Sequence, residues 1–236
     1  MAAESAAIAA EIVVDLVARP AMSGLARLHT WITGNELLIL GPARAGKSSF
    51  SEYLQYGILE PEQETATTIT AHKSASFRLK IGKSSSLEMK VKRAVDVAGE
   101  IGAQEHARLA EERAPDAIVV LLDLSAPLTG KAKSATGPWL TSFCSHLKQR
   151  LSENPKVRKK LKTLIFVANK YDKTQQAQGD KLIAAYRKII KKYFQDAFGP
   201  LAESVFILPC VLVQNSKGAT MADAVISRLA KSLAPR

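Results

Sequence analysis

Gly41-Pro42-Ala43-Arg44-Ala45-Gly46-Lys47-Ser48 fits the pattern GxxxxGK[ST], between an apolar strand-like run and a helical one. A polyphosphate carries dense negative charge, so a loop that holds it must bring many N–H donors close. Glycines permit that approach, and the start of the following helix adds partial positive charge. On this reading Lys47 reaches the β- and γ-phosphates and Ser48 ligates Mg²⁺. Gly41, Ala43, Arg44, Ala45, Gly46, Lys47, Ser48 and Ser49 are the loop's candidate nucleotide contacts. Further on, Asp96-Val97-Ala98-Gly99 closes a strand-like segment as DxxG. There Asp96 can hold Mg²⁺ through water and the Gly99 amide can meet a γ-phosphate. Asn169-Lys170-Tyr171-Asp172 is NKxD, directly after a third apolar run. The Asp172 carboxylate can accept from both the ring N–H and the exocyclic amine of guanine. Adenine lacks that donor pair, and a buried acceptor left unpaired costs about 1–3 kcal/mol.

These residues need a sheet to present them. Glu36 to Leu40 reads as a buried strand feeding the Gly-rich loop. Phe77, Leu79 and Ile81 alternate with Arg78 and Lys80, and Leu87, Met89 and Val91 with Glu88, Lys90 and Lys92, predicting a hairpin with a basic outer face. Ala117 to Leu122 and Thr163 to Ala168 are continuous apolar runs, as parallel strands covered on both sides require. Val205 to Leu208 is the last predicted strand, and helices are predicted over 101–113, 137–152, 180–197 and 220–233. Residues 57–72 are polar and Thr-rich, a loop by composition. The order is that of a doubly wound α/β sheet with one antiparallel hairpin. Ahead of it, Ile8, Ile12, Val13, Leu16 and Val17 fall on one helical stripe that Arg19-Pro20 ends. Residues 1–35 are therefore expected to be an amphipathic helical extension, and residues 36–236 the nucleotide-binding domain.

The three motifs in this order resemble the Ras-like small GTPases among the P-loop NTPases, over about residues 36–233. The resemblance implies a six-stranded mixed sheet flanked by helices, switch loops at about 57–72 and 97–113, and a molecular switch cycling between GTP and GDP with Mg²⁺. It further implies that a switch Thr ligates Mg²⁺ when GTP is bound. A Thr-Ile pair selects Thr68, with Thr67 as the alternative. Effector and regulatory proteins would read the cycle. The base-supporting loop after the last strand has Pro209-Cys210-Val211 where the family has Ser-Ala, which assigns Cys210 and Val211 to the base.

Two departures bear on catalysis. Glu100 stands where many relatives carry the Gln that orients the attacking water. A carboxylate there adds negative charge beside the γ-phosphate, so slow hydrolysis, or help from Gln104, is the expectation. Glu100 can equally just start the next helix, where acids suit the dipole. Arg44 resembles the loop arginine of guanylate-binding proteins, which acts as an arginine finger from within the chain. The plainer alternative is a solvent-facing loop residue. Lys47, Arg44, Thr68, Gly99 and Glu100 are thus the candidate catalytic residues, and Ser48, Thr68 and Asp96 the candidate metal ligands.

The chain has 236 residues, 47% hydrophobic, with 33 Lys and Arg against 22 acids and a net charge of +11. That excess suits anionic partners without choosing among them. Lys156 to Lys162, with Arg187, Lys188, Lys191 and Lys192, is expected at the sheet end away from the nucleotide. It is either a solvated face or a peripheral contact with an acidic membrane surface. No RNA-binding module is found and aromatic interleaving is sparse, which disfavours nucleic acid. Cys144 and Cys210 lie far apart with no CxxC spacing, fitting a reducing, cytoplasmic setting. Met1-Ala2-Ala3 lacks the glycine for myristoylation, the last residues lack a prenylatable Cys, and no apolar run is long enough to span a bilayer. The N-terminal stripe resembles the Arf group's membrane helix, but Glu4, Glu11 and Asp15 point instead to packing on protein. Two alternatives to a switch remain: a module that holds GTP with negligible hydrolysis, and a ribosome- or RNA-associated GTPase.

Overall fold

The computed structural model describes residues 35–59, 72–73, 77–81, 87–96, 102–125, 136–195, 199–215 and 217–233. Residues 1–34 of the expected N-terminal extension, Thr67, Thr68, Gly99 and Glu100 lie outside them, while Asn35, expected to end the extension, opens the first strand. Among the described residues seven strands are present: β1 Asn35–Leu40, β2 His72–Lys73, β3 Phe77–Ile81, β4 Leu87–Asp96, β5 Ala117–Asp123, β6 Thr163–Asn169 and β7 Val205–Pro209. Their order across the sheet is β2-β4-β1-β5-β6-β7, with β3 also paired to β4. Parallel pairing joins β4, β1, β5, β6 and β7, while β2 and β3 run antiparallel to β4.

Seven strand segments are described against the six strands expected, and β2 and β3 lie in one register against β4. Val91 of β4 is flanked by Asn35 and Phe77, and Val95 by Leu38 and Lys73. β2 and β3 therefore share the edge of β4 away from β1, antiparallel to it and in the same register. The predicted hairpin is the β3–β4 pair, Ile81 opposite Leu87 and Phe77 opposite Val91. Its second arm and the strand that ends in Asp96 are one continuous β4.

The four-stranded parallel block β1-β5-β6-β7 explains the apolar runs. Leu38, Leu40, Ile118, Val120, Leu122, Leu164 and Phe166 face one core. Leu37, Ile39, Val119, Leu121, Ile165 and Val167 face the other. With both faces covered, a period-two alternation of apolar and polar residues is impossible, and every residue of β5 and β6 is buried.

Six helices among the described residues supply the cover: α1 Lys47–Tyr56, α2 Ala103–Arg113, α3 Thr136–Glu153, α4 Pro155–Lys160, α5 Gln176–Phe194 and α6 Gly218–Leu233. The first core takes α2, α3 and α5 through Ala107, Phe143, Leu147, Tyr186 and Phe194; the second takes α1 and α6 through Phe50, Leu54, Val225 and Leu229. α1 is delimited by glycines at both ends, Gly46 and Gly57, each in left-handed backbone. Most of the expected switch segment 97–113 is helix: α2 occupies its last eleven residues, starting at Ala103 and ending at a left-handed Ala114. The predicted helices 180–197 and 220–233 begin earlier than expected, at Gln176 and Gly218. α4 is an addition to the expected elements. Its signals are local: Asn154 accepts from Val157 N–H at 3.4 Å and Pro155 sits in the first turn.

At the sheet end where β1 begins, the basic run is partly neutralised. Asp116 accepts from the Glu36 N–H at 2.9 Å and pairs with Lys162 at 3.2 Å. Lys162 also donates to Asn35 Oδ1 at 2.9 Å, and Lys160 pairs with Glu36 at 3.3 Å. No helix among the described residues is long and apolar enough to cross a membrane.

Candidate nucleotide-binding site

Four strands end together. The register sets Leu40 beside Val120, Asp123 beside Asn169 and Ala168 beside Pro209, so the loops that leave β1, β5, β6 and β7 share one edge of the sheet. Crevices outside the carboxyl ends of parallel strands, where the winding reverses, are where such sheets hold ligands. Here the chain moves from β1 towards β4 on one side and then to β5 on the other.

The loop after β1 is fixed by two glycines. At Gly41, φ is +144° and a Cβ would lie 2.3 Å from the Leu121 carbonyl oxygen of β5. At Gly46, φ is +94° and a Cβ would lie 2.3 Å from Asn169 Nδ2. The backbone thus passes both neighbours at distances no side chain allows. Between them Arg44 also takes left-handed backbone, φ 60°, with its side chain exposed. Lys47 is buried, and its ammonium donates back across the loop to the Pro42 carbonyl at 2.9 Å. No side chain caps the start of α1, since Gly46 has none to offer. The first-turn N–H groups of α1 are the kind of donors that an anion satisfies.

NKxD sits against this loop. Asn169 donates from Nδ2 to the Ala45 carbonyl at 3.0 Å and accepts at Oδ1 from the Leu212 N–H at 3.2 Å. One amide therefore pins the phosphate-loop candidate to the segment that follows β7. Lys170, in left-handed backbone at φ 60°, pairs with Asp123 at 2.6 Å. Asp172 is exposed on the 3-10 turn Tyr171–Lys173. The Cys210 thiol is pushed up to about 12, chiefly by burial and further by the Asp172 charge, against a lowering by the Val211 backbone. Tyr171 N–H donates to the Cys210 carbonyl at 3.3 Å, and Cys210 N–H to the Ala168 carbonyl at 2.9 Å. Cys210 and Val211 are buried, so they meet this corner by backbone.

The structure thus brings together Gly41, Ala45, Gly46, Lys47, Asn169, Lys170, Asp172 and Cys210. Ala43, Ser48 and Ser49 are half-buried along the same loop and first turn. Asp96 ends β4 in register with Ile39, two residues before Gly41, and is described by its backbone. Of the candidate Mg²⁺ ligands only the Ser48 side chain is described, and among the described residues no cluster of three His, Cys, Asp or Glu forms a metal site. Asp123, Ser125 and Leu212 join the site without being singled out by any motif. Asp123 carries a usable signal, an acid closing an apolar strand as Asp96 does; the Leu212 N–H carries none.

Comparison with family models and with curated proteins finds no match. Among solved structures, the chain is similar to translation elongation factor SelB from Methanococcus maripaludis in complex with the GTP analogue GppNHp. The identity is 19% and the TM-score 0.48. The similarity covers 83% of this chain and 33% of SelB, so the chain spans about a third of that factor's length.

Proposed function

We propose that the protein binds GTP and GDP with Mg²⁺ and hydrolyses GTP as a Ras-like molecular switch. The observation that carries this reading is the Asn169 amide, which holds the GxxxxGK[ST] loop at Ala45 and the post-β7 segment at Leu212. It sets the phosphate loop and the Asp172–Cys210 corner at a fixed separation along one sheet edge. A nucleotide has that form, a polyphosphate at one end and a base at the other.

In the proposed reaction, water attacks the γ-phosphorus, the bond to the β–γ bridging oxygen breaks, and GDP and phosphate leave. Lys47 neutralises charge on the β- and γ-oxygens, and the first-turn N–H groups of α1 supply donors that need no reorganisation. Mg²⁺ bound by Ser48, with Thr68 and Asp96, would add charge neutralisation. Arg44 is the proposed arginine finger. On the resemblance to Ras-like GTPases, the Gly99 N–H would sense the γ-phosphate and Glu100 would stand in for the Gln that orients the attacking water. Effector and regulatory proteins would read the switch loops, with peripheral contact to an acidic membrane surface through the basic sheet end.

The test is calorimetry with Mg²⁺ and GTP, GDP or ATP, followed by single-turnover hydrolysis. Guanine nucleotides are expected to bind at least about 100-fold tighter than ATP, in line with two charge-assisted hydrogen bonds. Equal affinity for GTP and ATP, or no uptake of either, overturns the proposal. A second reading, GTP held with negligible turnover, is favoured by the sequence, which has Glu100 where many relatives carry the water-orienting Gln; tight binding without measurable hydrolysis would select it.

A further inference from the structure

Asp123 belongs to none of the three motifs, yet it accepts four hydrogen bonds at the candidate site. Its Oδ1 accepts from Ser125 N–H at 2.8 Å and from Ser125 Oγ at 2.6 Å. Its Oδ2 takes the Lys170 ammonium at 2.6 Å, and its backbone carbonyl accepts from Thr136 Oγ1 at the start of α3 at 3.0 Å. The carboxylate is 11% exposed and the Lys170 side chain 26%. The pairing follows from sheet register, because Asp123 and Asn169 are lateral partners at the ends of β5 and β6. The Leu124 N–H closes the seam by donating to the Asn169 carbonyl at 3.0 Å.

We infer that Asp123 is a positioning residue for nucleotide affinity: clamped by Ser125, it fixes the Lys170 ammonium at the β5–β6 seam, so that the lysine stem is held ready to pack against a purine ring. This rests on the nucleotide-binding reading above. A lysine stem has four rotatable bonds, and freezing them during binding would weaken affinity by about 10-fold. An ion pair formed before the ligand arrives removes that cost. The stem meets the ring by its methylenes and not by its donors. Its contribution is therefore the same for guanine and for hypoxanthine, which lacks the exocyclic amine. That separates Asp123 from Asp172, which loses one of its two proposed hydrogen bonds when the amine is absent.

The test is a double-mutant cycle on the full chain, reading dissociation constants for GDP and IDP and the unfolding midpoint without nucleotide. The variants are Asp123→Asn, Lys170→Gln and the pair together. Asn at 123 still accepts from Ser125, so the turn is kept and only the charge is lost. Asp123→Asn is expected to weaken GDP and IDP alike by about 10-fold, leaving their ratio unchanged. In the Lys170→Gln background the same change should have no further effect on affinity. Wild-type affinity in Asp123→Asn overturns the inference, as do losses that multiply in the double variant. A lowered midpoint with unchanged affinities would show a purely structural residue and likewise overturns it. If the unaltered protein binds neither GDP nor IDP, the nucleotide reading itself fails and takes the inference with it.

Discussion

Arg44 holds left-handed backbone at φ 60° with its side chain exposed. For a residue with a Cβ that conformation costs about 1–2 kcal/mol, and nothing in packing demands an arginine there. Glycine would occupy the same backbone without strain. Arg44→Gly is therefore expected to raise stability by about 1 kcal/mol in denaturant unfolding. If Arg44 is the finger, single-turnover GTP hydrolysis should at the same time fall by about 1,000-fold or more, with GDP affinity nearly unchanged. A stabilised variant with undiminished hydrolysis would leave Arg44 without a catalytic role. Asp172 offers the complementary test. Asparagine presents an amide donor where the carboxylate accepts, which suits xanthine, with its C2 carbonyl, and not guanine. Asp172→Asn should weaken GDP binding by about 100-fold or more and improve XDP binding, measured by the same titrations.

At the scale of elements, the joints are more exacting than the elements they join. Gly41 and Gly57 bracket the loop and α1, and both have positive φ. Around Gly57 an added Cβ meets nothing within 4 Å, whereas at Gly41 it meets a buried strand carbonyl at 2.3 Å. Gly57→Ala is thus expected to cost about 1 kcal/mol, the conformational penalty alone. Gly41→Ala should cost about 3 kcal/mol or more, because β5 cannot yield, and should abolish nucleotide binding. Urea midpoints at constant slope measure both. Such joints also mark what sequence can reveal. The apolar runs of β5 and β6, the hairpin alternation and the glycine spacing announce themselves, because burial and backbone conformation restrict residue type at each position. α4 escapes notice since Lys156 to Lys160 read as surface charge, although Asn154-Pro155 is a sound helix start. The Asn169 staple to Ala45 and Leu212 joins segments far apart in sequence, two of them through backbone groups that every residue possesses. Asp123 is legible only as an acid at a strand end, because the motif that contains its partner Lys170 points to the base alone.

Taken whole, the molecule is a sheet between two cores, and each core contains a thiol that cannot ionise cheaply. Cys144 lies in the core of α2, α3 and α5 and Cys210 in that of α1 and α6. Burial raises both thiols from their ordinary value of 9.0, Cys210 to about 12 and Cys144 beyond it. Tyr53 is raised as well, by burial and then by its 2.7 Å hydrogen bond to Asp223, which ties α1 to α6. A group whose acid form is favoured by folding contributes its full stability below its unfolded pKa. That contribution is lost as pH rises towards the folded value, because the unfolded chain releases the proton first. Stability should therefore be flat in these groups up to about pH 9 and decline from there to about 12. Every tenfold gain in a thiol's proton affinity on folding is worth about 1.4 kcal/mol, an upper bound once the cores begin to admit water. The Cys144→Ala, Cys210→Ala double variant begins less stable, from the lost packing, but its unfolding midpoint should fall less steeply from about pH 9 to about pH 11 than that of the unaltered protein. Iodoacetamide at about pH 8 should leave both thiols of the native protein unmodified and label both in urea. Parallel slopes for the two proteins, or rapid labelling of the folded chain, would mean that the two cores are open to solvent on either side of the sheet, and that the edge carrying Gly41, Asn169 and Asp172 rests on a looser base than the packing shows.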